Sequence, residues 1–479
     1  MSSTLPNRKS VGKNLKAKRV LRYPLRKLHK LYSQEASPDR QCQLTSFMKY
    51  RPRHILCATS VHLTQCLCEY CANLDLIVTV LRAFCKTNDI ELSDEAITEA
   101  SLCRKNRNKW HKRACLSRQC QKCGVEQILG PLREKIQQIE GQLHWQKWIS
   151  VGRKKLLTEM EGTPVQLLEE IAIQLEPHPM HLFNAEWQYD QFISLKACLP
   201  KGWILLILDF AENYRTFYQN EVQSAHWSYN QITIHPIVAF YKCPTCEGLV
   251  QEALVFLTDD LCHDVEAVDC FTDKTINFLK QERKIDIKHM VQFTDGCSSQ
   301  YKSKTPFHHI SQMQLSTERG FFGSRHGKGP SDGISAIVKQ SCYRAVKSST
   351  ATIQCAKDMY NFLCQEMPLE RPTCRNHPSK CTPDHASNCT PDKCYRKYFL
   401  ITDIPRNDAD TDLLTIKGTR KVHSVRNCGS PGSIRIRNLS CFCPSCLEDT
   451  GNTKCENSNY VDSWKEQGVL KRKHASGNK

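Results

Sequence analysis

Three aspartates in the middle of the chain sit where carboxylates can share a cation. Asp209 ends an apolar run in Leu206-Ile207-Leu208-Asp209-Phe210-Ala211-Glu212-Asn213-Tyr214. Asp295 follows Val291-Gln292-Phe293-Thr294, and Asp332 opens a helical pattern after Gly327-Lys328-Gly329-Pro330-Ser331. Carboxylates held at close range repel, and their pKa values rise unless a cation joins them. Hard oxygen ligands select Mg²⁺ or Mn²⁺ over zinc. Two such ions ~3.5–4 Å apart activate a water or a 3′-hydroxyl and stabilise the leaving oxygen of a phosphodiester. Each acid also has a plainer reading. Asp is a favoured helix N-cap, which suits Asp332, and Asp295-Gly296 reads as a turn. Asp209 fits neither, because it follows six apolar residues and precedes Glu212.

The 28 cysteines are the second chemical signal. They fall in CxC and CxxC clusters, and no secretory signal precedes them, so zinc is expected rather than a disulfide framework. Cys441, Cys443, Cys446 and Cys455 give CxCx₂Cx₈C, a spacing that closes a tetrahedral Zn²⁺ site. His62, Cys66, Cys68 and Cys71 make a second set. Cys103, Cys115, Cys120 and Cys123 make a third, with His111 as a competitor for Cys103. The two N-terminal sets also admit interleaving as one binuclear module. Cys243 and Cys246 form either half a knuckle, completed by Cys262 or His263, or two idle thiols in a turn. Cys374, His377, Cys381, His385, Cys389 and Cys394 form a last cluster without a preferred ligand set.

Charge supplies the expected partner. Lys plus Arg number 67 against 49 acids, a formal charge of +18, which points to a polyanion and to DNA first. Residues 1–30 hold ten of these cations and no acid, as a nuclear-targeting or phosphate-contacting arm would. Around the third cysteine set, Arg104, Lys105, Arg107, Lys109, Lys112 and Arg113 interleave with Trp110, so these residues are expected at a DNA backbone or groove. A nuclear location follows from the same features. No apolar stretch approaches a membrane span, and neither a membrane nor a small-molecule substrate is expected. A homo-oligomer is compatible with the chain.

These residues need elements to position them. Residues 1–46 read as a basic arm, 47–124 as a Cys/His-rich DNA-binding module, and 125–200 as a helical region. Within the last, Leu132, Ile136, Ile139 and Leu143 have helical spacing, and Thr163 with Gln166 forms a capping box. Residues 201–350 read as one α/β domain. Trp203–Leu208 is continuously apolar, as a central strand covered on both faces must be. Strands follow near 232–241, 250–257, 290–293 and 320–323, and helices open at Asp264 and Asp332. Residues 351–427 are a Cys/His-rich extension, 428–465 a zinc knuckle, and 466–479 a basic tail.

This order, with acids after the first and fourth strands and on the last helix, resembles the ribonuclease-H-like core of DDE transposases. The stretches Thr294-Asp295-Gly296-Cys297-Ser298-Ser299-Gln300-Tyr301-Lys302 and Arg325-His326-Gly327-Lys328-Gly329-Pro330-Ser331-Asp332-Gly333 are similar to those of transposon-derived proteins. The resemblance implies a mixed five-stranded sheet with flanking helices and a metal-binding Asp209-Asp295-Asp332 triad, with Glu212 as an auxiliary acid. Lys302, Arg325, His326 and Lys328 would hold phosphates. The implied activity is metal-dependent DNA cleavage and strand transfer. A domesticated, inactive DNA- or chromatin-binding zinc protein is the alternative. The third acid departs from the superfamily's commoner Glu.

Overall fold

The computed structural model describes residues 2–4, 19–21, 25–37, 40–52, 55–56, 68–93, 95–105, 109–152, 154–218, 229–244, 248–323, 326, 329–367, 369–371, 393–406, 412–448 and 455–470. The chain forms two compact units. Met1–Ile97 with Ile128–Leu175 make the smaller, and Thr98–Gln127 with Glu176–Lys479 the larger. The 47–124 segment, expected as one module, thus contributes to both. Among the described residues, no helix is long and apolar enough to cross a membrane.

The smaller unit contains strands β1 (Ser2–Thr4), β2 (Arg19–Leu21) and β3 (Ile55–Leu56), which form a small sheet, and helices α1 (Leu25–Glu35) and α2 (Leu44–Lys49). Helix α3 (Glu69–Thr87) buries Leu74, Ile77, Val78, Leu81 and Cys85 along one stripe. Along the chain the short helices α4 (Ile97–Ala100) and α5 (Arg113–Leu116) follow, all but Ile97 in the larger unit's 98–127 segment, and α6 (Val125–Ile136) then buries Leu129, Leu132 and Ile136. The helical reading of the next stretch fails. Residues 143–162 are an antiparallel hairpin of β4 (Leu143–Val151) and β5 (Lys154–Gly162). Lys147 and Trp148 break the period-2 apolar pattern of Leu143, Trp145, Ile149 and Val151, so the segment mimics helical spacing. Buried Asn73 of α3 satisfies the edge of β4, donating to the Trp148 carbonyl (3.0 Å) and accepting from its N–H (2.7 Å). Helix α7 (Pro164–Leu175) starts with the expected box: the Thr163 N–H donates to Gln166 Oε1 (2.8 Å) and the Gln166 N–H to Thr163 Oγ1 (3.3 Å).

The larger unit opens, beyond its 98–127 segment, with α8 (His178–Ala197) and β6 (Trp203–Leu208). Then come β7 (Tyr214–Arg215), β8 (Gln231–Lys242), β9 (Leu249–Thr258), α9 (Val265–Gln281), β10 (His289–Thr294), α10 (Lys304–Gln312), β11 (Ser316–Phe321), α11 (Pro330–Lys347) and α12 (Ala356–Glu366). Five strands lie in the order β9-β8-β6-β10-β11, with β8 alone running against the other four. The chain beyond residue 366 extends both edges. β12 (Leu369–Arg371) and β13 (Lys393–Leu400) add beside β9; β14 (Ser424–Asn427), β15 (Ser433–Arg437) and β16 (Lys465–Gly468) add beside β11. The sheet is therefore mixed, as expected, but longer than five strands. Of the added strands β13 has eight residues and the others five or fewer, too few for their alternation to stand out in the sequence.

Both faces of the sheet are covered. Ile204, Leu206 and Leu208 pack with Phe271 and Leu279 of α9 and Ile310 of α10. Leu205 and Ile207 pack with Phe192 and Leu195 of α8, while Ile232 and Leu257 meet Val338 of α11 and Leu363 of α12. Asp264 caps α9 by accepting from the Ala267 N–H (2.9 Å). Glu252 of β9 is wholly buried and accepts from Tyr241 (2.6 Å) and from Arg283 (2.7 Å). Removing the charge from such a buried pair strands the other ion. Glu252→Gln is expected to cost about 3–5 kcal/mol, read as a shifted urea midpoint at constant slope.

Candidate functional site

The sheet brings Asp209 and Asp295 to the same level. β6 and β10 are adjacent and parallel, with Ile207 opposite Phe293, so each aspartate lies two residues beyond a paired position. Gly296 then takes φ 80°, a left-handed conformation that turns the chain out of β10. The Cys297 N–H donates to Asp295 Oδ1 (2.9 Å). Asp332 stands in the first turn of α11, where its Oδ2 accepts from the Gly329 N–H (2.8 Å). The helix is thus capped at Gly329, and Asp332 lies three residues inside it.

Two of these acids are raised. Burial pushes the Asp209 carboxyl up to about 7, with Asp295 and Asp332 adding to the rise. Asp295 is raised by desolvation and by Asp332, against the pull of the Cys297 N–H. The aspartates are not among the ligand groups gathered within 4.8 Å of one another in the described residues. Without a cation, a raised carboxyl pKa favours the folded state below the unfolded value, and that favour is lost as pH climbs to the folded one. Metal-free protein is therefore expected to lose about 2–4 kcal/mol of Asp209-linked stability between pH 4 and 7. Asp209→Asn should flatten that slope in pH-dependent melts.

Asp209 and Asp295 line a cleft of about 580 Å³ with Phe210, Glu212, Asn213, Arg215, Gln231 and His263. Beneath them lies buried Tyr301, its phenol raised by burial and then by Asp209 and Asp295. Its hydroxyl is 3.2 Å from His235 Nε2. Buried Arg319 holds this loop, donating to Gln292 Oε1 (2.7 Å) and to the Tyr301 carbonyl (3.4 Å). Glu212 is at the rim, its side chain 95% exposed and 3.9 Å from Lys339. Lys302 instead packs half-buried, its amine 4.7 Å from the centre of the Phe321 ring, and burial pulls it down to about 8. His326 Nε2 faces His181 Nε2 at 3.1 Å. Arg325 and Lys328 lie outside the described residues.

Two sulfur sets of the larger unit have metal-site geometry. Cys103, Cys115, Cys120 and Cys123 gather within 4.8 Å, as do Cys441, Cys443, Cys446 and Cys455. A tetrahedron with ~2.3 Å metal–sulfur bonds has edges of ~3.8 Å. The recorded Sγ separations match: 3.8 Å for Cys103–Cys120, 3.6 Å for Cys441–Cys455 and 4.0 Å for Cys443–Cys455. Both sets can hold a metal such as zinc. His111 is not a ligand, because its ring contacts the Cys103 carbonyl (2.8 Å) and Glu99 (2.9 Å). In the C-terminal set Cys441 is held down to about 5 by the Cys446 thiol, with help from Asn457 (3.3 Å), the Cys443 N–H and Arg437. The two sets share one core, in which Trp110, Phe183, Trp187 and Tyr460 lie between them. Trp187 donates to the Ser440 carbonyl (2.8 Å) and Tyr460 to the His111 carbonyl (3.1 Å).

Of the second cysteine set, His62 and Cys66 lie outside the described residues. Cys68 precedes α3 and Cys71 is in its first turn, its thiol raised by the Cys68 hydrogen bond and by burial. Cys246 and the cluster from Cys374 to Cys389 are also outside, whereas Cys394 is half-buried on β13. Cys262 is exposed, and His263 stacks on Phe210. The basic residues near Trp110 are exposed, but three have acidic partners: Lys105 with Glu99 (3.3 Å), Arg113 with Asp462 (2.8 Å), and Lys109 with Asp190. Arg104 and Lys112 are exposed, and Arg107 is outside the described residues. Sequence reasoning gave Asn213, Arg215, Gln231 and Tyr301 no role in the cleft, and it offered His263 only as one alternative to Cys262 for completing a half-knuckle. Asn213, Arg215 and Tyr301 lie within six residues of Asp209 or Asp295, whereas Gln231 and His263 carry no such signal.

Residues 188–377, the stretch from α8 through α12 that carries all three aspartates, match a domain of unknown function, DUF8701. No curated protein matches the chain.

Proposed function

We propose that residues 201–350 of the larger unit are a ribonuclease-H-like core of the DDE-transposase kind. In this reading Asp209, Asp295 and Asp332 hold Mg²⁺ or Mn²⁺ and cut or join DNA phosphodiesters in the nucleus. The sulfur sets staple the fold with zinc, and the basic segments grip the DNA backbone. One observation carries the reading: two aspartates at matching positions beyond adjacent parallel strands, each raised by a neighbouring acid. The order β9-β8-β6-β10-β11 supports the reading, because it makes neighbours of the two strands that precede Asp209 and Asp295. The metal would supply charge neutralisation and an activated oxygen nucleophile. The chain's own residues would place the acids and recess them from water.

A second reading is a domesticated DNA- or chromatin-binding zinc protein without catalysis. Asp332 favours it, being exposed and already hydrogen-bonded to Gly329. Supercoiled plasmid with Mn²⁺ or Mg²⁺ separates the two. Metal-dependent nicking that Asp209→Asn abolishes supports the first, and DNA binding without nicking in any divalent ion supports the second.

A further inference from the structure

The wall of the cleft away from the acids is furnished for more than a cation. Thr233 Oγ1 donates to Asn213 Oδ1 (3.4 Å) and lies 3.1 Å from His263 Nε2, while Asn213 Nδ2 donates to Gln231 Oε1 (3.1 Å). A hydroxyl has one proton, so with Thr233 donating to Asn213, His263 must present Nε2–H to Thr233. The chain of bonds therefore has one direction and ends on Gln231, whose amide nitrogen keeps its donors.

Flat surfaces flank this chain. His263 stacks on Phe210 with centroids 4.3 Å apart and planes 16° from parallel. The Arg215 guanidinium lies 3.5 Å from the centre of the Tyr229 ring. The loop carrying His263 is fastened by Arg406, which pairs with Asp260 and Asp264 on either side of it. The site is thus preorganised without a ligand.

The Gln231 amide, the Phe210 and His263 rings and the Arg215 guanidinium line the same cleft as Asp209 and Asp295, and together match the parts of a nucleotide. Arg215 suits a phosphate, the rings suit a base face, and Gln231 suits a base edge. In a duplex both faces and the pairing edge of a base are occupied. We infer that this wall is a subsite for an unpaired nucleotide next to the phosphodiester held at the acids, so the cleft takes a frayed or single-stranded end rather than continuous duplex. The inference rests on the phosphodiester reading for the substrate's identity and is tested apart from it.

The probe is a 20-nucleotide strand carrying 5-iodouracil, used alone or annealed to its complement, irradiated with zinc-loaded full-length protein. Crosslinked peptides are mapped by mass spectrometry. Crosslinks at residues 210–215, 229–231 or 263 are expected, about tenfold stronger for the single strand. Arg215→Ala and Gln231→Ala should each weaken them about tenfold while leaving crosslinks to the basic segments intact. Crosslinks confined to those segments, or equal yields from strand and duplex, overturn the subsite. Asp295→Asn should keep the crosslinks and lose nicking. Mapped crosslinks without nicking uphold the subsite and refute catalysis; nicking without them does the reverse.

Discussion

Cys443→Ser is expected to remove one zinc ion per chain and to unfold more than the knuckle that carries it. A structural zinc contributes on the order of 10 kcal/mol of apparent binding energy, all of it folding energy when the site is not preformed. The loss should spread, because Cys441 and Cys443 share a core with Cys115, Leu116, Phe183 and Trp187. Releasing the C-terminal set uncovers the aromatic packing that also supports the 103–123 set. Chelator titration followed by zinc release and tryptophan fluorescence should show the second ion leaving at lower chelator in the variant than in the parent. Independent release of the two ions, with unchanged tryptophan emission, would separate the sites.

Asp295→Asn is expected to lower metal-dependent nicking at least about a thousandfold while leaving the fold intact or firmer. Removing one ligand from a two-ion site withdraws the charge stabilisation on which phosphoryl transfer depends. The same change relieves repulsion, since Asp295 follows burial as the next cause of the raised Asp209 carboxyl. Activity and stability thus move in opposite directions, which general unfolding would not produce. Plasmid nicking beside thermal melts at pH 7 measures both.

Much of the central domain was legible because its signals are local and strong. Six continuous apolar residues fit a strand covered on both faces, and Asp264 and Thr163 are caps whose partners lie three residues away. The level placement of Asp209 and Asp295 followed once their strands were taken as neighbours. The hairpin at 143–162 was not legible because Lys147 and Trp148 break its alternation, and most outer strands were not because they have five residues or fewer. The shared core of the two sulfur sets was hidden for a different reason. More than 300 residues separate Cys115 from Cys441, and no spacing rule spans that distance. The wall of the cleft escaped because Asn213, Arg215, Gln231 and His263 are individually ordinary and acquire meaning only together.

Manganese binding by the zinc-loaded full-length chain, followed by electron paramagnetic resonance together with proton release, tests the central claim most directly. At pH 6.5 the Asp209 carboxyl still carries much of its proton, so bound Mn²⁺ should displace it. The account predicts saturable Mn²⁺ binding with measurable proton release, both lost in Asp209→Asn and Asp295→Asn. Mn²⁺ binding that is absent from the parent, or unchanged in both variants, would contradict it.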